Sequence, residues 1–199
     1  MGRKIYTVAG IDLAGVSHRP SGCCLLQGLK AVTTLLFTDE EILDWVKTGK
    51  PDLIAIDAPL TLPPGRKSIE ERNDSHYRPC DMELRRRKIP FFPITLGPMR
   101  VLTKRGIELR KILEAEGFRV VEIYPGGAQD VWNIPRARSN LSGLRSGLRK
   151  LGITGLKKGC TDHELDAASG ALVGSLFLQE EAEVYGDFES GAIIMPPKS

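Results

Sequence analysis

Residues 4–13, KIYTVAGIDL, read as a strand that runs into an acid. Apolar side chains occupy both alternating faces, as in a central strand covered on two sides, yet Asp12 follows Val8, Ala9 and Ile11 within a few residues. The same pattern recurs at 52–57, DLIAID, where Leu53, Ile54 and Ile56 lead to Asp57 ahead of Ala58-Pro59. Either aspartate alone could cap a turn through nearby backbone N–H groups. Two such strand ends at neighbouring sheet positions would put both carboxylates at one edge, where repulsion calls for a cation or a proton.

Between these strands, residues 21–28 (SGCCLLQG) and 30–37 (KAVTTLLF) predict a hairpin about Gly28. Thr38 then precedes Asp39-Glu40-Glu41, an N-cap followed by acids at the positive end of a helix. That helix carries Ile42, Leu43, Trp45 and Val46 and stops at Gly49, giving the order three strands, helix, strand. From Pro59 to Pro98 the character changes: seven of the thirteen prolines fall there, with Arg66, Lys67, Arg72, Arg78 and the run Arg85-Arg86-Arg87-Lys88. So long a stretch with little periodicity points to an insertion with a role of its own, holding a short helix over 81–88. Beyond it the pattern predicts a helix over 99–116 closed by Gly117 and a strand over 118–124 ended by Pro125-Gly126-Gly127. A basic helix over 141–151, a last helix from about 162 to 183 and a short strand at 192–195 complete the chain.

The last helix adds to the acids. At about 100° per residue, Leu165, Ser169, Leu172, Val173 and Leu176 share one face, taken as the face against the sheet, and Asp162 and Asp166 fall on it one turn apart. His163 and Glu164 are expected to point elsewhere. Thr161 and Glu164 form a capping box, and Asp162 answers the helix dipole. Asp166, past the first turn, has neither role, and a carboxylate on a packed face needs a compensating charge. Ala167, Ala168, Gly170, Ala171 and Gly174 permit close approach to neighbouring elements. Glu122, sharing a face with Val120 and Phe118, either joins these acids or pairs with an arginine. An oxygen-only cluster suits magnesium or manganese rather than zinc. Two such ions about 4 Å apart can clamp the attacking and leaving oxygens of a phosphodiester.

Charge is segregated as well. Residues 131–160 hold no acid and seven bases, Arg136, Arg138, Arg145, Arg149, Lys150, Lys157 and Lys158, whereas 161–199 hold eight acids and one lysine. A basic surface beside an acidic site fits phosphate contacts to nucleic acid, with Arg145, Arg149, Lys157 and Lys158 as candidate substrate contacts and Arg78 and Arg85 extending them. Solvated helix faces are the plainer alternative. Arg78, Asp81 and Arg85 are read as an ion-pair or substrate-positioning group near Asp57. Phe91 and Phe92 could stack on bases or simply anchor their loop. His76 and Cys80, four apart, lack the second pair that a soft-metal site requires.

The length of 199 residues and 41% hydrophobic content suit one domain, and a net charge of +3 does not by itself identify a partner. No stretch approaches the roughly 18 apolar residues of a membrane span. Met1-Gly2-Arg3-Lys4 leads straight into a strand, without room for a signal peptide. The four cysteines form neither a zinc pair nor a disulfide framework, so a reduced, cytoplasmic protein is expected.

The order βββαβ…αβ…α, with acids on the first strand, at the end of the fourth and on the last helix, resembles the ribonuclease H-like superfamily. More narrowly, the pieces GIDLAG (10–15), AIDAP (55–59), RPCDMELR (78–85), VEIYPG (121–126) and DHELDAASGAL (162–172) resemble a family of predicted ribonuclease H-like nucleases. This resemblance implies one α/β domain over 1–199 with a mixed sheet flanked by helices and an insertion at about 59–98. It also implies a two-metal nuclease with Asp12, Asp57 and Asp166 as ligands, completed by Asp162 or Glu122. Two other readings compete. Asp12-Leu13-Ala14-Gly15 resembles the first phosphate loop of the sugar kinase and actin type, which would make this an ATP-binding domain. The basic surface could also serve a catalytically inactive nucleic-acid-binding module.

Overall fold

The computed structural model describes residues 4–198; Met1–Arg3, part of the segment read as leaving no room for a leader, lie outside the described residues, as does Ser199. Among the described residues, seven strands form a single mixed sheet. β1 (Thr7–Asp12), β2 (Ser21–Gln27) and β3 (Lys30–Leu36) are an antiparallel meander, and α1 (Asp39–Gly49) then leads into β4 (Leu53–Asp57). β4 lies parallel to β1, and β5 (Val120–Ile123) parallel to β4. The chain closes with β6 (Glu183–Asp187) and β7 (Gly191–Met195), so the sheet order is β3-β2-β1-β4-β5-β7-β6.

Strand alternation divides the core in two. Ala9, Ile11, Ile54, Ile56 and Val120 pack against α1 and against Leu109 and Leu113 of α3 (Gly97–Ala115). Val8, Cys24, Leu53, Ala55, Val121 and Ile123 pack on the other face, under α4 (Pro125–Val131), α5 (Leu141–Lys150) and α6 (Asp162–Leu178). α2 (Pro79–Arg86) sits with β6 and β7 on a smaller cluster around Tyr185. Thr38 caps α1 through a capping box with Glu41, as its sequence predicts. Gly28 sits at φ 58° in the β2–β3 turn, a conformation natural to glycine.

Three expectations change. Pro125 does more than end a strand: it is the first residue of α4, where its missing N–H does no harm. The last helix stops at Leu178 instead of 183, and Glu180 turns the chain at φ 61° into the β6–β7 hairpin. The face of that helix against the sheet also differs. A Cβ on Gly10 would strike the Ala167 carbonyl, one on Gly22 would strike that of His163, and one on Gly174 would meet Val8 and Ala55. The sheet-facing stripe is therefore His163, Ala167, Gly170, Ala171 and Gly174. Because α6 is buried nearly all round from Leu165 to Ser175, apolar periodicity marks no unique face; the small residues mark where the backbones meet.

Candidate active site: an acid edge beside a cavity

Asp12 and Asp57 are direct partners in the parallel β1–β4 register, which places adjacent strands about 4.8 Å apart. Asp12 shares its face with Val8 and Gly10, and Asp57 shares its face with Leu53 and Ala55, so both carboxylates lie on the α6 side. The glycines of β1 and β2 let α6 settle there. His163 Nδ1 comes within 2.6 Å of Asp12 Oδ2. This hydrogen bond is the first cause of a raised His163 pKa, ahead of the partial burial that opposes it. Asp166 stands three residues on, its Oδ1 accepting from Gln129 Nε2 of α4 at 2.6 Å, while the same amide meets Ser169 Oγ at 3.1 Å.

Electrostatics shows how little opposes these charges. Burial, followed by repulsion from Asp12, Asp166 and Glu122, raises the Asp57 pKa well above its ordinary range. Burial and then Asp12 push Asp166 up to about 6, despite the Gln129 hydrogen bond that lowers it. Among the described residues, no hydrogen bond or ion pair engages the Asp57 carboxylate. Asp162 opens α6, partly exposed, close enough to add repulsion to Asp166.

Glu122 lies apart from this set. It pairs with Ile56 across β4–β5, so it points to the opposite face of the sheet. Arg78 grips it at both oxygens, at 2.6 and 2.8 Å, and holds Asp81 Oδ1 at 2.8 Å, while Leu60 N–H donates to Glu122 Oε2 at 2.8 Å. Burial alone would lower the Arg78 pKa, but the two carboxylates outweigh it and raise it. With 2% of its side chain exposed, Arg78 is an anchor that ties the 59–98 segment to β5, with no free donor for a phosphate. Arg85 of the expected Arg78, Asp81 and Arg85 group is exposed and faces Tyr77 instead.

A cavity of about 300 Å³ opens between the two groups, and Asp57, Asp166, Phe91, Phe92, Arg136 and Arg138 are among the residues that line it. Its lining includes Arg78 and Glu122 but not Asp12, Asp162, Arg145, Arg149, Lys157 or Lys158. The basic segment is thus spread over the fold. Arg136 and Arg138 reach the cavity, whereas the chain after Arg149 packs at the far end of the sheet, where Thr154 N–H donates to Leu29 O at the β2–β3 turn. Arg149 itself bonds Leu156 O at 2.8 Å.

Spacing alone left His163, Gln129 and Arg138 out of the site. For His163 a signal existed, since it lies four residues before Ala167 on the small-residue stripe. Gln129 could have been placed one turn into a helix had Pro125 been read as a helix start. Among the described residues, no three His, Cys, Asp or Glu side chains converge tightly enough to form a closed metal-ligand group. The donor chemistry nevertheless fits a hard divalent ion: Asp12, Asp57 and Asp166 supply only oxygens, and their mutual repulsion is what such an ion relieves.

Residues 10–190 match the family described as protein of unknown function DUF429, and the chain belongs to that family. No curated protein matches it. Among solved structures, Thermus thermophilus RuvC is similar at a TM-score of 0.49 and 14% identity, over 87% of this chain and 96% of that one, too remote to assign a chemistry. No described helix is long and apolar enough to cross a membrane.

Proposed function

We propose that this chain is a ribonuclease H-like nuclease, a single domain over 1–199 that hydrolyses phosphodiester bonds of nucleic acid with magnesium or manganese. One observation carries the reading: Asp12 and Asp57 stand in register at one sheet edge on the α6 side, near Asp166, with no cation engaging Asp57 among the described residues. The element order β1-β2-β3-α1-β4, with acids closing β1 and β4 and opening α6, supports the same fold. Bound hard ions would supply Lewis acidity and a nucleophilic oxygen at neutral pH. Asp12, Asp57 and Asp166 would hold them, with Asp162 within reach.

The remaining groups have definable tasks. Gln129 fixes the Asp166 carboxylate, and His163 fixes that of Asp12 through Nδ1. Arg138, exposed at the cavity, is available to a phosphate. The loop after β1 is poorly suited to cradle a nucleotide triphosphate, because Ala14 N–H donates to Ser21 Oγ and Ala14 O accepts from Arg105. The four cysteines are buried free thiols, in keeping with a reducing, cytoplasmic setting. A cleavage panel over single-stranded, duplex, hybrid and branched substrates with manganese tests the reading, with Asp57→Asn alongside. Cleavage is expected for the parent protein only. Equal cleavage by both, or full activity after rigorous metal removal, would overturn it.

A further inference from the structure

The geometry points to an unpaired nucleobase as the occupant of the cavity beside Asp57, with its strand leaving across Phe91 onto a basic groove. This inference rests on the nuclease reading and narrows its substrate to single-stranded nucleic acid or an unpaired end. Four observations bear on it.

The first is shape. The cavity of about 300 Å³ is small-ligand sized rather than a trough for a duplex, and Phe91 and Phe92 of the 59–98 segment help to line it. A stacked base pair cannot enter such a recess, whereas an unpaired or extruded base can. The second is continuity. Phe91 lines both this cavity and a second, more open groove of about 430 Å³ that also holds Tyr77, Arg85 and Lys88. Tyr77 and Phe91 meet edge to face, ring centroids 6.1 Å apart, so two aromatic rings mark a path from the groove to the acids.

The third is charge. In the run Arg85-Arg86-Arg87-Lys88 the middle pair is committed: Arg86 and Arg87 both bind Glu83, and Arg87 also reaches Glu183. Arg85 and Lys88, the two that line the groove, form no ion pair among the described residues. Lys88 is held there at φ 59°, unusual for a side chain with a Cβ. The fourth is exposure. Phe92 keeps 67% of its surface in solvent at the cavity mouth, which a loop anchor would not. Aromatic rings beside cations free of carboxylates are what single strands use, the rings taking bases and the cations phosphates.

Fluorescence anisotropy with a labelled oligothymidylate and a blunt duplex of equal length, in EDTA so that nothing is cut, tests this directly. The parent protein should bind the single strand at least roughly tenfold more tightly than the duplex. Phe92→Ala, at an exposed position, should remove roughly tenfold of single-strand affinity. Replacing Arg85 and Lys88 by Ala should lower the slope of log K against log salt by about 1.4, at about 0.7 per phosphate. Equal affinity for duplex, unchanged binding by Phe92→Ala, or binding of thymidine monophosphate with no gain from a longer strand would each overturn the inference. The two readings fail separately. Single-strand binding without cleavage of any substrate in manganese removes the nuclease and leaves the base pocket. Cleavage of duplex without single-strand preference does the reverse.

Discussion

Two groups of carboxylates flank one cavity, and they are built in opposite ways. On the α3 face, Glu122 and Asp81 converge on Arg78, and the bonds between Arg78 and these two carboxylates lie between 2.6 and 3.1 Å. On the α6 face, one strand away, Asp57 lies beside Asp12 and Asp166 with nothing of opposite charge bonded to it among the described residues. The chain is not short of arginine, since Arg136 and Arg138 line the same cavity. Glu122 and Asp81 share one guanidinium in bidentate geometry, whereas Asp57 has no such partner among the described residues. The contrast separates an anchor from a candidate site more sharply than pKa does alone, because burial raises the pKa of Glu122 as it does those of Asp57 and Asp166.

The largest effects should have opposite signs on the two sides. Arg78→Met leaves Glu122 and Asp81 buried without a partner, and breaking such a pair costs about 3–5 kcal/mol. Urea titration should show that loss, or outright failure to fold. Asp57→Asn removes a repelled charge instead, so stability in EDTA should hold or rise, while cleavage falls by roughly a thousandfold, the several kcal/mol expected for a lost metal site. Manganese should raise the melting temperature of the parent and not of Asp57→Asn. If Asp57→Asn destabilises as Arg78→Met does, the two groups are alike and the comparison breaks.

A smaller effect sharpens it through pH. The folded-state pKa of Asp166 lies near 6, above its ordinary value of 3.8. A carboxyl raised in this way favours the folded state while protonated, so its contribution is present at low pH and is lost as pH rises from about 4 to about 6. In EDTA this amounts to about 1–3 kcal/mol, after allowance for solvent reaching a partly exposed group. Asp166→Asn should flatten that portion of the stability curve, and saturating manganese should too. Denaturation at a series of pH values, with and without metal, measures both.

Much of this architecture is legible in the chain. The hairpin about Gly28, the Thr38 cap, and the strands ending in Asp12 and Asp57 follow from alternation and turn chemistry, which are local. What was not legible depends on contact between distant elements. The rotation of α6 is set by Gly10 and Gly22 on strands far away in sequence, so apolar periodicity turned His163 outward when the packing turns it toward Asp12. The hairpin of β6 and β7 hides in a polar stretch whose Val184 is exposed and Tyr185 buried. The division of the basic segment likewise emerges only once the chain after Arg149 is seen to return to the β2–β3 turn. Glu122 illustrates the limit well: its strand and neighbours were readable, but which face it took, and which arginine, required the register.

The smallest effect lies two residues from Asp166, and it carries the comparison into a single helical turn. Glu164 closes the capping box of α6, with Thr161 N–H donating to its Oε2 at 2.8 Å and its own N–H donating to Thr161 Oγ1 at 3.2 Å. It has a further partner that spacing could not reveal, Thr33 Oγ1 of β3, which donates to Oε1 at 2.7 Å. Burial tends to raise its pKa, but these hydrogen bonds and Lys157 outweigh it and lower it. A carboxyl lowered on folding stabilises above its ordinary pKa and loses that contribution as pH falls through the folded value, the reverse of Asp166. Glu164→Ala should therefore cost about 1–2 kcal/mol at neutral pH, a cap together with one side-chain bond, with less difference in acid. Manganese affinity, followed by the shift in melting temperature, should stay near that of the parent, because Glu164 is turned toward Thr33 and away from the aspartates. Loss of metal binding in Glu164→Ala, with retention in Asp166→Asn, would exchange the roles of these two acids and move the site to the β3 side of the helix.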